Sequence, residues 1–583
     1  MRTLKYSALA VAFVLFTGII GLVLLTQWMS AERIKPLLID VFADADIRLE
    51  LPGELDWQLG SVITFELGAL SASGQFGTLS SDSSTLKIPL SSLLRGSLII
   101  DHASLVRPKI TLAENRDPRQ TTGPSRQFLL RALDIEDGQI AGLPGQLMLS
   151  RAQVRLEPLT PDYPSEVTLD AIAETPNLRF PIVARAEVRP SLNAQSLTLT
   201  NIRLQSRQAD LQIDGYLTFA RNGDIAGEGW LELPNMQLRQ WLSIAGVDLP
   251  SDPSQQSFQT FSLQGGYQID AEGVRFEPLE GQLDDSPFQA QATWLFDRGF
   301  WNLVVDLETL AWPRATPDSV SGNPAGTPSG ILPPNGQYAV RVKQLSIGSL
   351  PASRVQLAFG VDQDQITIGQ LSAGLMYGEL EASGLWVPTT GAMSWIGTYT
   401  NGSLAALPTP GQLAGQLNLQ FDVEWTTGTE KRVIEMLTGS VRGAVKSASL
   451  QPFDPSLAWC EALQQPLSPN RRFKDELNFR VKLTEGVGAF DIVDGKVGGL
   501  QLSGSGRTSL VSGAMQTSLN TALSAEQSLI RCPLSKSVAL SATVNCRMNI
   551  KQGQSSCLLD EASSAALVSQ WNAMRQSEAL SAQ

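Results

Sequence analysis

Residues 366–387 read ITIGQLSAGLMYGELEASGLWV. Ile366 and Ile368 alternate with polar residues, a turn carrying glycine follows, and Leu380 lies in a second alternating run rich in small residues. Period-2 alternation of this kind describes a strand with one apolar face, and Gly or Asp between two such runs describes a tight turn. The same sentence recurs at irregular spacing. Residues 274–296 read VRFEPLEGQLDDSPFQAQATWLF, and residues 490–510 read FDIVDGKVGGLQLSGSGRTSL, with Phe490 and Ile492 alternating. Upstream, Leu197 and Leu199 share one face, as do Leu211 and Ile213, and Gly215 is placed to bend or bulge its strand. The chain is expected to be mainly β, built from a repeated supersecondary unit rather than a strict solenoid. A sheet of such strands must cover its apolar face. Either two sheets pack together or one long sheet curls around itself, and periodicity leaves both solutions open.

The 583 residues exceed the usual length of one domain. Hydrophobic residues make up 43% and charged residues 17%, so apolar material for a core is ample and wholesale disorder is excluded. Gly (49) and Pro (33) are frequent, which favours many short strands joined by turns. A net charge of −13 without a basic stripe argues against nucleic acid as a partner.

Tyr6 to Leu25 carries no charge. At 1.5 Å rise per residue it spans about 30 Å, the thickness of a bilayer core. Tyr6, Leu9, Val14, Ile20 and Leu25 mark this anchor, with Trp28 at the interface. Arg2 and Lys5 precede it, which keeps the N-terminus cytoplasmic and exports the body. A cleaved signal peptide is the competing reading. Its apolar core would be shorter, and the nearest A-x-A, Ala43 to Ala45, lies far downstream. After the anchor, Ser30 can cap a helix to about Ala43, with Ile34, Leu37, Leu38, Val41 and Phe42 on one face.

The expected organisation is a cytoplasmic tail and anchor over 1–29, a β-rich region over 30–312, and a Pro/Gly/Ser-rich linker or loop over 313–335. A second β-rich region follows over 336–583. A further polar break lies at Glu114 to Gln127. Short helices are expected at Pro455 to Gln465 and at Ala562 to Leu580, the latter with Leu567, Val568, Trp571 and Met574 at helical spacing.

Candidates for chemistry are few. His102 is the one histidine. Asp101 and Ser104 lie close in sequence, but alternation puts Asp101 and His102 on opposite faces, so a polar strand-end histidine is the reading. Ser503-Gly504-Ser505-Gly506 lacks the spacing of a nucleophile elbow or a P-loop and reads as a flexible or tightly turning strand. No cysteines are paired as C-x-x-C, so neither a metal nor a catalytic residue is assigned, no cofactor is expected, and the chain is read as a non-enzyme. Cys460, Cys532, Cys546 and Cys557 all fall late. In an oxidising compartment they suggest at least one disulfide, with three pairings possible.

Two stretches carry a resemblance. Ile47 to Trp57 reads IRLELPGELDW and is followed by PLSSLLRGSLIIDHASLVRPKITL at Pro89 to Leu112. Near the other end, Phe473 to Leu510 reads FKDELNFRVKLTEGVGAFDIVDGKVGGLQLSGSGRTSL. These resemble the opening and the C-terminal region of the AsmA family of Gram-negative envelope proteins. The middle third is similar only in strand style, and the late cysteines and the C-terminal tail depart from the family. The resemblance implies an inner-membrane protein with a periplasmic body, formed as an elongated curled antiparallel sheet, a β-groove with an apolar interior. It implies a phospholipid partner and a role in lipid transport and outer-membrane biogenesis. Leu197, Leu199, Leu211, Ile213, Ile366, Ile368, Leu380, Phe490 and Ile492 are then the candidate groove residues. An envelope assembly factor, binding outer-membrane protein chains along an exposed sheet edge, is the alternative.

Overall fold

The computed structural model describes residues 31–43, 47–112, 128–244, 257–312 and 333–581. Within them lie short stretches outside the description: 59, 75–76, 90, 92–97, 144–146, 161–162, 175–178, 192–195, 208, 221–224, 348–349, 364, 407–413, 427–432, 450–452, 469–472, 525–529, 535–538 and 550–553. Strands account for 72% of the described residues, and the sheet is mostly antiparallel, curled and unclosed. The expected anchor, with Tyr6, Leu9, Val14, Ile20, Leu25 and Trp28, lies outside the described residues. So do the break at 114–127 and most of the 313–335 linker. No described helix is long and apolar enough to cross a membrane.

The chain divides into two compact units. The N-terminal unit takes the described residues up to 246, with 258–284 and 293–297. The C-terminal unit takes Ser257, 285–292 and the described residues from 298 on.

In the N-terminal unit the helix Ala31–Ala43 buries Ile34, Leu38 and Phe42 against Leu49, Leu55, Phe65 and Ile88, and so closes one apolar cluster. The side chains of Leu37 and Val41 lie outside the described residues. Two arms of short strands meet on the strand Leu133–Leu143. It pairs in parallel with His102–Val106 over its first half and with Lys109–Leu112 over its second. From there the chain runs as an antiparallel meander to Gly273–Leu283.

The C-terminal unit begins with a parallel pair. Phe300–Trp312 and Gly336–Ile347 lie side by side in register from Trp301/Gly336 to Trp312/Ile347. The expected boundary at 313–335 therefore joins two neighbouring strands of one unit. From Gly336 on the pairing is antiparallel through to Gln554–Leu559.

The curl has a local cause. Register shifts recur where a non-glycine residue adopts positive φ: Arg151, Asn201, Arg354, Asn401 and Ser447, at φ near 50°. Such bulges bend the strand and increase its twist. Asn401 is further fixed by its backbone N–H, which donates to Asn418 Oδ1 at 2.9 Å. Gly215, expected to bend or bulge its strand, lies within a register shift: Leu199 pairs with Leu217 and Ile202 with Ile213, so Asp214 to Tyr216 face only Thr200 and Asn201. On its other side its φ of +128° permits a close backbone approach to Gly229, where an added Cβ would sit 2.5 Å from the Gly229 Cα.

The expected alternatives of sandwich and curled sheet separate at the apolar clusters. Tyr338, Val361, Ile366 and Ile368 pack with Trp301, Leu303, Phe359, Leu371, Trp386 and Trp395, all on consecutive strands of one sheet. Leu149, Ala152, Ala171, Ala173 and Ile182 likewise come from consecutive strands of the N-terminal unit. Each cluster is a sheet bent over its own apolar face.

Candidate functional site: one apolar sheet face

Register decides what this face is made of. Across the C-terminal unit, Val305 pairs with Val340, and the ladder continues through Leu357, Leu371, Ala382, Gly397, Phe421, Val441, Val481, Phe490, Gly506, Thr517, Cys546 and Cys557. One residue along each strand, the neighbouring ladder reads Asp306, Arg341, Gln356, Ser372, Glu381, Thr398, Gln420, Arg442, Arg480, Asp491, Ser505, Ser518, Asn545 and Leu558. Because the side-chain period is two, these are opposite faces of one sheet. One is apolar from strand to strand except at Thr517, and the other is polar up to Leu558.

The polar face is laced by exposed cross-strand ion pairs: Arg341 with Asp306 at 3.3 Å, Lys343 with Glu308 at 2.5 Å, and Arg354 with Glu379 at 3.2 Å. Exposed pairs of this kind contribute little stability. They do fix which face belongs in water.

The apolar ladder changes character along its length. From Val305 to Val481 every member is half-buried. Phe490, Thr517 and Cys546 are buried, because here the face is covered. The helix Ser456–Ala462 inserts Trp459 and Cys460, both fully buried, and the helix Glu561–Ser581 adds Leu567 and Trp571. Trp459 Nε1 donates to Thr521 Oγ1 at 2.9 Å, and that hydroxyl donates to the Ala542 carbonyl at 2.6 Å. Two disulfides hold this closed end, Cys460–Cys532 and Cys546–Cys557. One local and one long-range bridge thus resolve the three possible pairings.

The candidate groove residues divide between the units. Leu199 pairs with Val188 and Leu217, Leu211 with Leu204, and Ile213 with Ile202 and Leu231, all in the N-terminal unit; Leu199, Leu211 and Ile213 are themselves half-buried. The side chain of Leu197 lies outside the described residues. Ile366 and Ile368 are buried in the C-terminal unit, and Leu380 is half-buried between Ala373 and Tyr399. Phe490 and Ile492 belong to the covered end. Sequence reasoning did not single out Trp395 or Phe421, which line the uncovered stretch, or Phe479, half-buried where that stretch meets the covered cluster. Their alternation is visible in the sequence, but their place on one face needs the register.

Two phenols on the apolar side are tied to backbone, whereas the indole N–H groups of Trp386 and Trp395 are buried without a hydrogen-bond partner among the described residues. Tyr338 Oη donates to the Pro334 carbonyl at 2.7 Å and Tyr399 Oη to the Leu375 carbonyl at 2.8 Å. Burial pushes both phenols above their ordinary pKa. In the N-terminal unit Tyr267 is raised in the same way, first by burial and then by Tyr216, Asp214 and Glu228 nearby. Tyr338 also stacks on Phe359, with ring centroids 5.0 Å apart. At the strand ends beside the short helix Val433–Met436, a cavity of about 800 Å³ is lined by Val387, Met393, Trp425 and Met436, together with Glu424 and Glu485.

The residues weighed for chemistry are apart. His102 Nε2 lies 3.5 Å from Asp134 Oδ2, while Asp101 accepts a hydrogen bond from Arg131 at 2.9 Å. Among the described residues no group of three His, Cys, Asp or Glu side chains comes together as metal ligands would. Ser503 to Gly506 form part of a regular strand, Leu500–Ser509.

No protein-family model and no curated protein matches this chain.

Proposed function

We propose that this chain is an inner-membrane-anchored periplasmic protein that holds or transfers phospholipid along an apolar sheet face, in support of outer-membrane biogenesis and without covalent chemistry. The observation that carries this reading is the half-buried apolar ladder from Val305 to Val481, backed one residue away by a continuous polar ladder. A core would bury these side chains fully, and a soluble surface would not align them. An acyl chain laid on the ladder removes both from water, at about 0.8 kcal/mol for each methylene buried. Two chains can be held without polar recognition, while the headgroup stays in water.

Location rests on three further features. The uncharged stretch from Tyr6 to Leu25 has the length of a membrane span. Two disulfides suit an oxidising compartment. The resemblance of Ile47 to Trp57, Pro89 to Leu112 and Phe473 to Leu510 to the AsmA family points to the same envelope role.

The test is extraction of the full-length protein from membranes in mild detergent, followed by native mass spectrometry. Co-purifying phospholipid supports the reading. A bound polypeptide favours an assembly factor for outer-membrane protein chains, and an empty chain overturns the lipid reading.

A further inference from the structure

Four aromatic residues of the apolar face stand directly opposite a glycine on the neighbouring strand. Trp395 pairs with Gly384, Phe421 with Gly397, Phe479 with Gly443, and Phe490 with Gly506. In each case the ring lies across the partner strand, in the space where a side chain on that glycine would stand. A Cβ built on Gly443 would meet Phe479 Cζ at 2.2 Å, one on Gly506 would meet Phe490 Cζ at 2.5 Å, and one on Gly397 would meet Phe421 Cζ at 2.6 Å. At Gly384 the Trp395 ring comes within 3.0 Å.

Strand side chains ordinarily stand roughly perpendicular to the sheet. A ring that leans over its neighbour's backbone covers that backbone and lowers the height of the apolar layer. The device recurs on four strand pairs; the Phe490 pair lies under the covering helices, and the other three give the face a floor: flat, aromatic, and free of side chains projecting from the glycine positions.

We propose that these glycines are positioning residues that keep the rings flat, so that the floor admits an extended, unbranched acyl chain. This rests on the lipid reading above and adds its steric rule. Gly443 is the decisive position. The three nearest atoms to its built Cβ all belong to the Phe479 ring, with no backbone among them. At Gly384, Gly397 and Gly506 a backbone carbonyl oxygen is in the way as well. Gly443→Ala therefore displaces the Phe479 ring and leaves the strands in place. A displaced ring stands up into the path and breaks contact with about two methylenes, which corresponds to roughly a tenfold loss of occupancy. If the rings merely shield glycine backbone, Gly443→Ala leaves lipid binding alone.

The experiment uses full-length protein in vesicles of phosphatidylethanolamine and phosphatidylglycerol, doped with a phospholipid bearing a diazirine on a straight palmitoyl chain. Photo-adducts are counted, with circular dichroism as the check on folding. Gly443→Ala is expected to lose about tenfold in labelling, and Gly443→Ala with Phe479→Ala to recover it, because the small side chain leaves room for the new methyl. Phe479→Tyr alters only the ring tip, which lies over Gly443, and is expected to show the same loss. It decides the matter should Gly443→Ala not fold. Unchanged labelling in a folded single variant overturns the proposal while the lipid reading stands. Absence of labelling in the wild type overturns the lipid reading itself.

Discussion

Asp454 and Arg531 form an ion pair from which water is nearly excluded. Arg531 Nε donates to Asp454 Oδ2 at 2.6 Å, and the two side chains keep 11% and 3% of their exposure, Arg531 first. The other carboxylate oxygen accepts from the backbone N–H of Ser456 at 3.0 Å and from its hydroxyl at 2.5 Å, at the start of the helix that carries Trp459 and Cys460. The pair thus ties the covering helix to the segment that holds Cys532. A buried pair adds little over an apolar replacement, but removing one partner strands the other charge. Arg531→Met is expected to lower the stability of this end by about 3–5 kcal/mol, read as lost hydrogen-exchange protection over residues 517–523. Adding Asp454→Asn should return part of the loss. Unchanged protection in Arg531→Met would show that the pair is not holding the helix.

The disulfides should differ in effect. Cys460–Cys532 closes 72 residues and Cys546–Cys557 closes 11. By chain entropy the first stabilises by about 4 kcal/mol and the second by about 3 kcal/mol. Non-reducing peptide mass spectrometry on protein from native envelopes should find these two bridges. Recovery of Cys532–Cys546 would contradict the fold of the closed end.

Alkaline pH should loosen the sheets. The phenols of Tyr267, Tyr338 and Tyr399 are raised by burial from 10.0. A raised folded pKa means that their contribution is complete below the unfolded value and is lost as pH climbs through the folded one. Stability is therefore expected to hold to about pH 10 and fall above it. Ultraviolet titration should show three of the seven tyrosines ionising late in folded protein and shifting down in denaturant. Coincident folded and denatured titrations would contradict the burial.

Topology is a separate expectation. A reporter fused after Gln583 should be active in the periplasm and silent in the cytoplasm, and the full-length chain should sediment with inner membrane. A mature chain beginning between residues 27 and 46 would replace the anchor by a cleaved signal.

Strand character was legible because alternation is local. Ile366 with Ile368 and Phe490 with Ile492 could both be assigned to apolar strand faces from sequence alone. Their different surroundings could not. The first pair sits in a cluster made only of neighbouring strands, and the second lies under two helices supplied by distant segments. Register was equally hidden. Bulges at Asn201, Asn401 and Ser447 shift the pairing by amounts that no pattern in one strand reveals, so Phe479 over Gly443 appears only once the strands are aligned. The parallel pairing across residues 313–335 was masked by a Pro- and Gly-rich stretch that reads as a boundary.

The central claim is that lipid lies on one face of this sheet and not on the other. Val441 and Arg442 are adjacent in the chain and sit on opposite faces, Val441 between Phe421 and Val481, Arg442 between Gln420 and Arg480. A photo-reactive phenylalanine analogue placed at each position in turn, irradiated in cells and analysed for lipid adducts, compares the two faces under identical conditions. Adducts at position 441 with none at 442 are expected. Equal labelling at both, or none at either in folded protein, would contradict the account.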